Sequence, residues 1–235
     1  MINARSLAIV ACSIVWLTPG IDGQSLSQYR GYRNFALGSG VAAVSALAGV
    51  DPAEAKTIHS RPSVLQDLEW RPSRWVAGST ASSVDPVEQI LFSFYNDQLF
   101  RVVVDYGHER TEGMTGADMI EGISSIYGVP LPRSSRVGAP APSRLETESG
   151  SLVARWGDSE HRVVLYQTSS YRAAYRLIVA DARVDDLARK AETQAARLDD
   201  QEAPAREIAR QKKEADDGRV AAAKARAANK GVFRP

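Results

Sequence analysis

The chain has 235 residues, of which 24% are charged, and its 29 basic and 28 acidic residues leave a formal net charge of +1. This balance argues against a nucleic-acid binder that works mainly by electrostatic attraction. One cysteine and three histidines exclude a disulfide framework and a cysteine-rich metal site, and they leave little for a histidine-built metal centre. We therefore expect no metal and no cofactor.

The first residues have the pattern of a secretory signal peptide. Arg5 gives a short positive start, residues 7–17 are almost wholly apolar, and chain-breaking residues follow up to Gly23. An apolar run of about 7–15 residues is typical of such signals, and it is too short to span a bilayer. We predict a signal peptide over 1–23 and an exported, periplasmic or extracellular protein. The alternative is a buried N-terminal helix.

Cys12 raises the question of lipidation, because Ile9-Val10-Ala11-Cys12 resembles a bacterial lipobox. Few apolar residues precede Cys12, and the residues after it stay apolar where a lipoprotein needs a hydrated tether. We therefore predict that Cys12 is removed with the signal peptide rather than acylated. The mature chain then has no cysteine, which suits an oxidising compartment.

Two short helices and a strand are predicted next. Apolar residues at helical spacing predict a helix over 40–48, and Gly49 ends it. A second helix over 52–59 is predicted from the capping pattern at its start, Asp51-Pro52-Ala53-Glu54. Residues 65–75 have the composition of a strand.

The clearest strand pattern covers residues 90–106. Apolar and polar residues alternate on both sides of Asn96-Asp97, which tolerate the positive φ of a tight turn. The pattern predicts a hairpin with one apolar face, which other elements must cover. A helix over 116–127 follows, with a capping residue at Thr115 and a stop at Gly128.

Residues 129–150 are rich in proline and serine and predict an extended linker. Three further strands are predicted over 151–156, 161–168 and 174–181. The order of helix and three strands thus occurs twice. This repetition is compatible with two helix-plus-three-strand modules or with a single mixed sheet that carries both helices on one face.

The predicted fold class is α+β, with antiparallel sheet covered by short helices and a long charged C-terminal helix. After the signal peptide we expect a module over 24–128 and the linker over 129–150. A three-stranded unit over 151–183 and a charged helical tail over 184–235 complete the chain.

In the tail, alanine and charged residues replace large apolar ones. The remaining apolar residues, such as Val184 and Leu198, sit near heptad spacing, but the seam between them is too weak for a coiled coil. Pro204 is expected to break or kink the helix. We predict a helix that docks through its first turns and then extends into solvent.

One group of residues has acid–base character, namely Asp105, His108, Glu109 and Glu112. His108-Glu109 begins like a zinc-protease motif, but Glu112 stands where the second histidine is required. Arg110 lies among these acids and favours their ionised forms. We predict a solvated loop and no catalytic residue. The alternative is a small secreted hydrolase or transferase that uses this cluster.

The candidate partner-binding residues are three tryptophans and two lysines. Aromatic residues are enriched at interfaces, so Trp70, Trp75 and Trp156 are candidates, with core packing as the alternative. Lys212 and Lys213 are candidates for contact with an anionic membrane or wall polymer. The alternative for both lysines is a solvated helix face.

A short pattern precedes the predicted strands: Phe35-Ala36-Leu37-Gly38, then Val41, Val44 and Gly49. With two short helices and three antiparallel strands over residues 29–106, this order resembles the BamE-like (SmpA/OmlA) envelope proteins. The tandem arrangement is similar to the two-module layout of β-lactamase-inhibitor proteins. Both resemblances imply a noncatalytic binding role.

The sequence therefore predicts an exported noncatalytic envelope protein that acts as a protein-interaction or assembly module. Its expected partner is an envelope protein or a cell-wall component. We expect no nucleic-acid partner and no transmembrane span, and we expect any membrane contact to be peripheral and made through the tail.

Overall fold

A computed structural model of the chain describes residues 28–72, 85–132, 149–232 and 234. The predicted signal peptide, Cys12, Trp75 and most of the predicted linker lie outside the described residues. Within the described residues the fold is α+β, as predicted, with an antiparallel sheet and a long C-terminal helix.

Small elements open the described chain. Strands β1 (Gly31–Tyr32) and β2 (Phe35–Ala36) form a two-stranded hairpin, and helix α1 (Val41–Ala48) follows. Gly49 ends α1 with a φ of 69°, which glycine adopts without steric cost. The helix predicted over 40–48 is thereby confirmed.

Seven further strands form the main sheet. They are β3 (Lys56–His59), β4 (Leu65–Trp70), β5 (Val87–Tyr95), β6 (Gln98–Gly107), β7 (Ser151–Gly157), β8 (His161–Gln167) and β9 (Ala173–Asp181). Their order is β3-β4-β5-β6-β9-β8-β7, and every neighbouring pair is antiparallel. Pairing of β6 with β9, which places Val104 opposite Leu177, joins the two predicted sets of strands. Of the two arrangements left open, the single sheet is the one observed, but it is antiparallel throughout and not mixed.

The hairpin predicted over 90–106 is confirmed as β5 and β6. Asn96 and Asp97 have φ angles of 48° and 62°, so both adopt the left-handed conformation of the turn. Helix α2 (Gly116–Tyr127) is also confirmed, and its capping box is complete because Thr115 and Asp118 each bind the other's backbone N–H.

The helix predicted over 52–59 is wrong. The capping box at Asp51 and Glu54 is present, but it begins a single 3-10 turn, Pro52–Glu54. The chain then enters β3, whose Lys56 and Thr57 pair with β4. Most of β3 is exposed, so these residues have no buried stripe that packing would favour as a helix. The resemblance to BamE-like proteins thereby loses one of its two helices.

The main core lies on one face of the sheet. Buried apolar residues from all the strands except β3 pack against β1, β2, α1 and α2, among them Phe92, Val104, Trp156, Leu165 and Leu177. The N-terminal hairpin and both short helices thus cover one face. The opposite face is available to the C-terminal helix.

Helix α3 (Ala182–Val232) starts directly after β9 and has 51 residues. It runs through Pro204, so the predicted break there is wrong. Proline removes one backbone donor from the helix. The carbonyl oxygen that loses its donor is that of Asp200, four residues before Pro204. Arg206 Nη2 donates to the neighbouring Asp199 carbonyl oxygen at 2.9 Å.

Candidate functional site

The first turns of α3 are docked on the sheet face opposite the main core. Val184, Ala188 and Ala191 are buried against Leu65 and Phe100 in a second apolar cluster. Asp181 and Glu160 fix the start of the helix, because the Val184 N–H donates to Asp181 and the Ala182 N–H donates to the Glu160 carbonyl oxygen. The prediction that the tail docks through its first turns is confirmed.

A buried carboxylate lies at the centre of this contact. Asp185 has only 1% of its side chain exposed, and Arg162 Nη2 from β8 donates to its Oδ2 at 2.6 Å. Arg101 Nη1 from β6 donates to Oδ1 at 3.3 Å, and Arg189 Nε lies 3.7 Å from Oδ2. These arginines are themselves largely buried. One carboxylate therefore ties the helix to two strands of the sheet.

The contact between α3 and the rest of the described chain ends near Glu202. Arg61 Nη2 lies 2.5 Å from Glu202 Oε2, and this hydrogen bond lowers the pKa of the glutamate. Every residue from Ala203 to Val232 is exposed. At 1.5 Å per residue, residues 205–232, which we call the distal segment, extend about 42 Å.

Side-chain pairs within the helix stabilise the distal segment. Arg210 binds Glu207 and Glu214, one turn away on either side, at 2.8 Å each. The hydrogen bond from Arg210 lowers the pKa of Glu207. Lys212 and Lys213 are exposed and form no ion pair with any described residue. Such i,i+4 pairs contribute only about 0.2–0.5 kcal/mol each, so they support the helix without tying it to the sheet.

Three of the four acid–base candidates line one open cleft of about 480 Å³. His108, Glu109 and Glu112 are exposed there, and His108 Nε2 lies 2.8 Å from the Ser170 carbonyl oxygen. Asp105 does not line this cleft, because it pairs with Arg176 at 2.6 Å and raises the pKa of that arginine. None of the four hydrogen-bonds to another.

Within residues 28–72, 85–132, 149–232 and 234, no group of three or more histidine, cysteine or carboxylate side chains is close enough to hold a metal ion. The same part of the chain contains no helix with an apolar stretch long enough to cross a bilayer.

The tryptophan candidates have different positions. Trp156 is 1% exposed, and its Nε1 donates to the Gly128 carbonyl oxygen at 3.0 Å and to Ser124 Oγ at 3.2 Å. Its ring therefore lies in the core and has no exposed surface for a partner. Trp70 is half-buried at the end of β4 and packs against the main core. Trp75 lies outside the described residues.

Sequence reasoning missed the Asp185 cluster. Arg101 lies between Phe100 and Val102 and therefore has the pattern of a solvent-facing position, and Arg162 stands near the start of β8, before an unbroken apolar run. One local signal was present, since Asp185 adjoins Val184, the first residue of the apolar face of α3 that continues with Ala188 and Ala191. Its two strand partners are 84 and 23 residues away in the sequence, and local patterns do not predict such distant pairs.

Comparison with known proteins found no matching family model, no similar curated protein and no similar solved structure.

Proposed function

We propose that this protein is a noncatalytic interaction or assembly module whose contact surface is the distal segment of α3. One observation carries the proposal: α3 is tied to the sheet by a buried ionic cluster over its first turns, and every residue from Ala203 to Val232 is exposed. A helix that is docked on the sheet at one end and exposed along the rest of its length presents a long surface. The docked end fixes where this surface leaves the sheet.

The exposed helix has no apolar stripe of its own. Its larger apolar side chains are Ile208, Val220 and Val232, which are 68%, 69% and 79% exposed, and at 100° per residue they lie on three different faces. A coiled-coil partner requires a continuous apolar seam. Polar and charged side chains therefore supply the binding energy of the proposed contact.

The second candidate function is a small hydrolase or transferase. The observation that favours it is the shared cleft of His108, Glu109 and Glu112. An acid–base site works through groups that converge in a water-excluding environment. The cleft is open and these three side chains are exposed and make no hydrogen bonds to one another, so we rank this function below the interaction module.

We further propose that the protein is exported and acts in the cell envelope, with an envelope protein or a cell-wall component as its partner. The support is the positive start, short apolar run and small-residue exit of residues 1–23. Export also suits a mature chain that begins at Gln24 and contains no cysteine.

Cell fractionation tests both proposals together. We expect the mature chain, with Gln24 as its first residue by intact mass, to sediment with the envelope fraction. A variant that lacks residues 205–235 should be exported equally but should remain in the soluble exported fraction, because it has lost its contact surface. Equal sedimentation of both chains would contradict the interaction proposal, and a chain that still begins at Met1 would contradict export.

A further inference from the structure

The C-terminal end of the chain, residues 218–235, differs in charge from the part of α3 before it. Residues 205–217 carry four basic and four acidic residues, whereas residues 218–235 carry five basic residues and no acidic one. The basic residues of this last part are Arg219, Lys224, Arg226, Lys230 and Arg234. The tip of the exposed helix is therefore a concentrated positive charge on a nearly neutral protein.

Most of these cations have no intramolecular partner. Arg219 lies 3.6 Å from Asp216, but Lys224, Arg226 and Lys230 form no ion pair with any residue that the structure describes. By contrast, Arg206 and Arg210 are both paired with acidic residues of the same helix. The charge of the tip is thus available to an external anion.

The cations are also arranged on one face. At 100° per residue, Lys212, Arg219, Arg226 and Lys230 fall within about 40° of one another, and we call this set the basic stripe. The acidic residues Glu207, Glu214 and Asp217 fall on the opposite side of the helix by the same rotation, whereas Asp216 lies about 60° from Arg219, with which it pairs. A surface that touches the basic stripe therefore meets few carboxylates.

The side chains on the helix face opposite the stripe are too small to insert deeply into a bilayer. This face carries Ala221, Ala225, Ala228 and Val232, which are small or of moderate size. Helices that lie within the membrane interface use large apolar residues such as tryptophan, phenylalanine and leucine for that purpose. The attraction is therefore electrostatic and stays at the surface.

We infer that the basic stripe binds the headgroup surface of an anionic lipid bilayer, with the helix lying along it peripherally. The inference rests on the proposed function of the distal segment and names its partner. A flat anionic surface meets a straight row of cations without reordering, whereas a flexible polyanion loses conformational entropy when it aligns with that row.

The experiment measures binding of the full chain to vesicles of equal parts phosphatidylglycerol and phosphatidylcholine. We expect binding at low salt, its loss at high salt, and none to pure phosphatidylcholine. In the stripe variant, Arg219→Gln, Arg226→Gln and Lys230→Gln together should weaken binding about 100-fold, at roughly fivefold per cation near an anionic surface.

The matched control removes the same charge from the other side of the helix, by Arg206→Gln, Arg210→Gln and Lys213→Gln. We expect the control variant to bind within about fivefold of the unmodified chain, since only long-range attraction is reduced. Helix content by circular dichroism should be similar in both variants. Equal weakening by both, or no binding of the unmodified chain to the anionic vesicles, would overturn the inference.

Two further outcomes separate this inference from the proposed function. Tighter binding of the chain to soluble polyglutamate than to the vesicles would also overturn the inference, because the stripe would then recognise a linear polyanion. If the chain does not bind the vesicles but still needs residues 205–235 to sediment with the envelope, the result would agree with the proposed function and would contradict the lipid partner.

Discussion

Replacement of Asp185 by alanine is expected to lower the free energy of unfolding by about 3–5 kcal/mol, because it removes the buried carboxylate that the guanidinium groups of Arg162 and Arg101 both bind. Arg162 and Arg101 have 8% and 13% of their side chains exposed, so water cannot substitute for Asp185. For a chain of this size the loss corresponds to a decrease in Tm of roughly 10 °C, measured by calorimetry or circular dichroism.

The neighbouring residue provides a matched control. Asp186 is also in the first turns of α3 and pairs with Arg189, but 47% of its side chain is exposed. An exposed pair contributes about 0–1 kcal/mol, so Asp186→Ala should change Tm little. Similar decreases in Tm for the two variants would show that the buried cluster does not hold the helix.

Two deletions of different length are expected to differ widely in stability. Removal of residues 205–235 should leave Tm nearly unchanged, because all of its described residues are exposed. Removal of residues 184–235 also removes Val184 and Asp185 and uncovers Leu65 and Phe100. The loss of the buried valine and of the ionic cluster together amounts to roughly 5–8 kcal/mol, comparable to the whole stability of a typical domain.

Equilibrium urea unfolding of the two truncated chains and the full chain measures this difference. The short deletion should reproduce the midpoint of the full chain, and the long deletion should unfold at much lower urea or fail to unfold cooperatively. A large loss of stability on removal of residues 205–235 would mean that the distal segment packs on the rest of the protein, and it would contradict its assignment as a free surface.

Local patterns predicted much of the sheet and the helices α1 and α2 well, but only where packing agreed with them. Two capping boxes illustrate the limit. The box at Thr115 begins α2, whose Met119, Ile123 and Tyr127 reach the core at helical spacing. The box at Asp51 begins only one turn, because the residues after it pair with β4 as an edge strand. The capping chemistry was the same, and long-range pairing decided the outcome.

The candidate site, like the fold, could be predicted from the sequence only in part. The exposed distal segment could be predicted from its composition, because alanine and charge without apolar anchors cannot bury a face. The Asp185 cluster could not, because it joins residues of β6, β8 and α3 that only the folded sheet brings together. The order of strands, in which β6 neighbours β9, was likewise invisible to local patterns.

Site-specific photo-crosslinking in cells tests the central claim, that the distal segment is the contact surface, most directly. A photoreactive residue at Ile208 or Val220 should give discrete adducts with an envelope protein or lipid. The same residue at Ile126 in α2 or at Tyr171 between β8 and β9, which are also exposed, should give none. Adducts from Ile126 and Tyr171 but none from the distal segment would contradict the account.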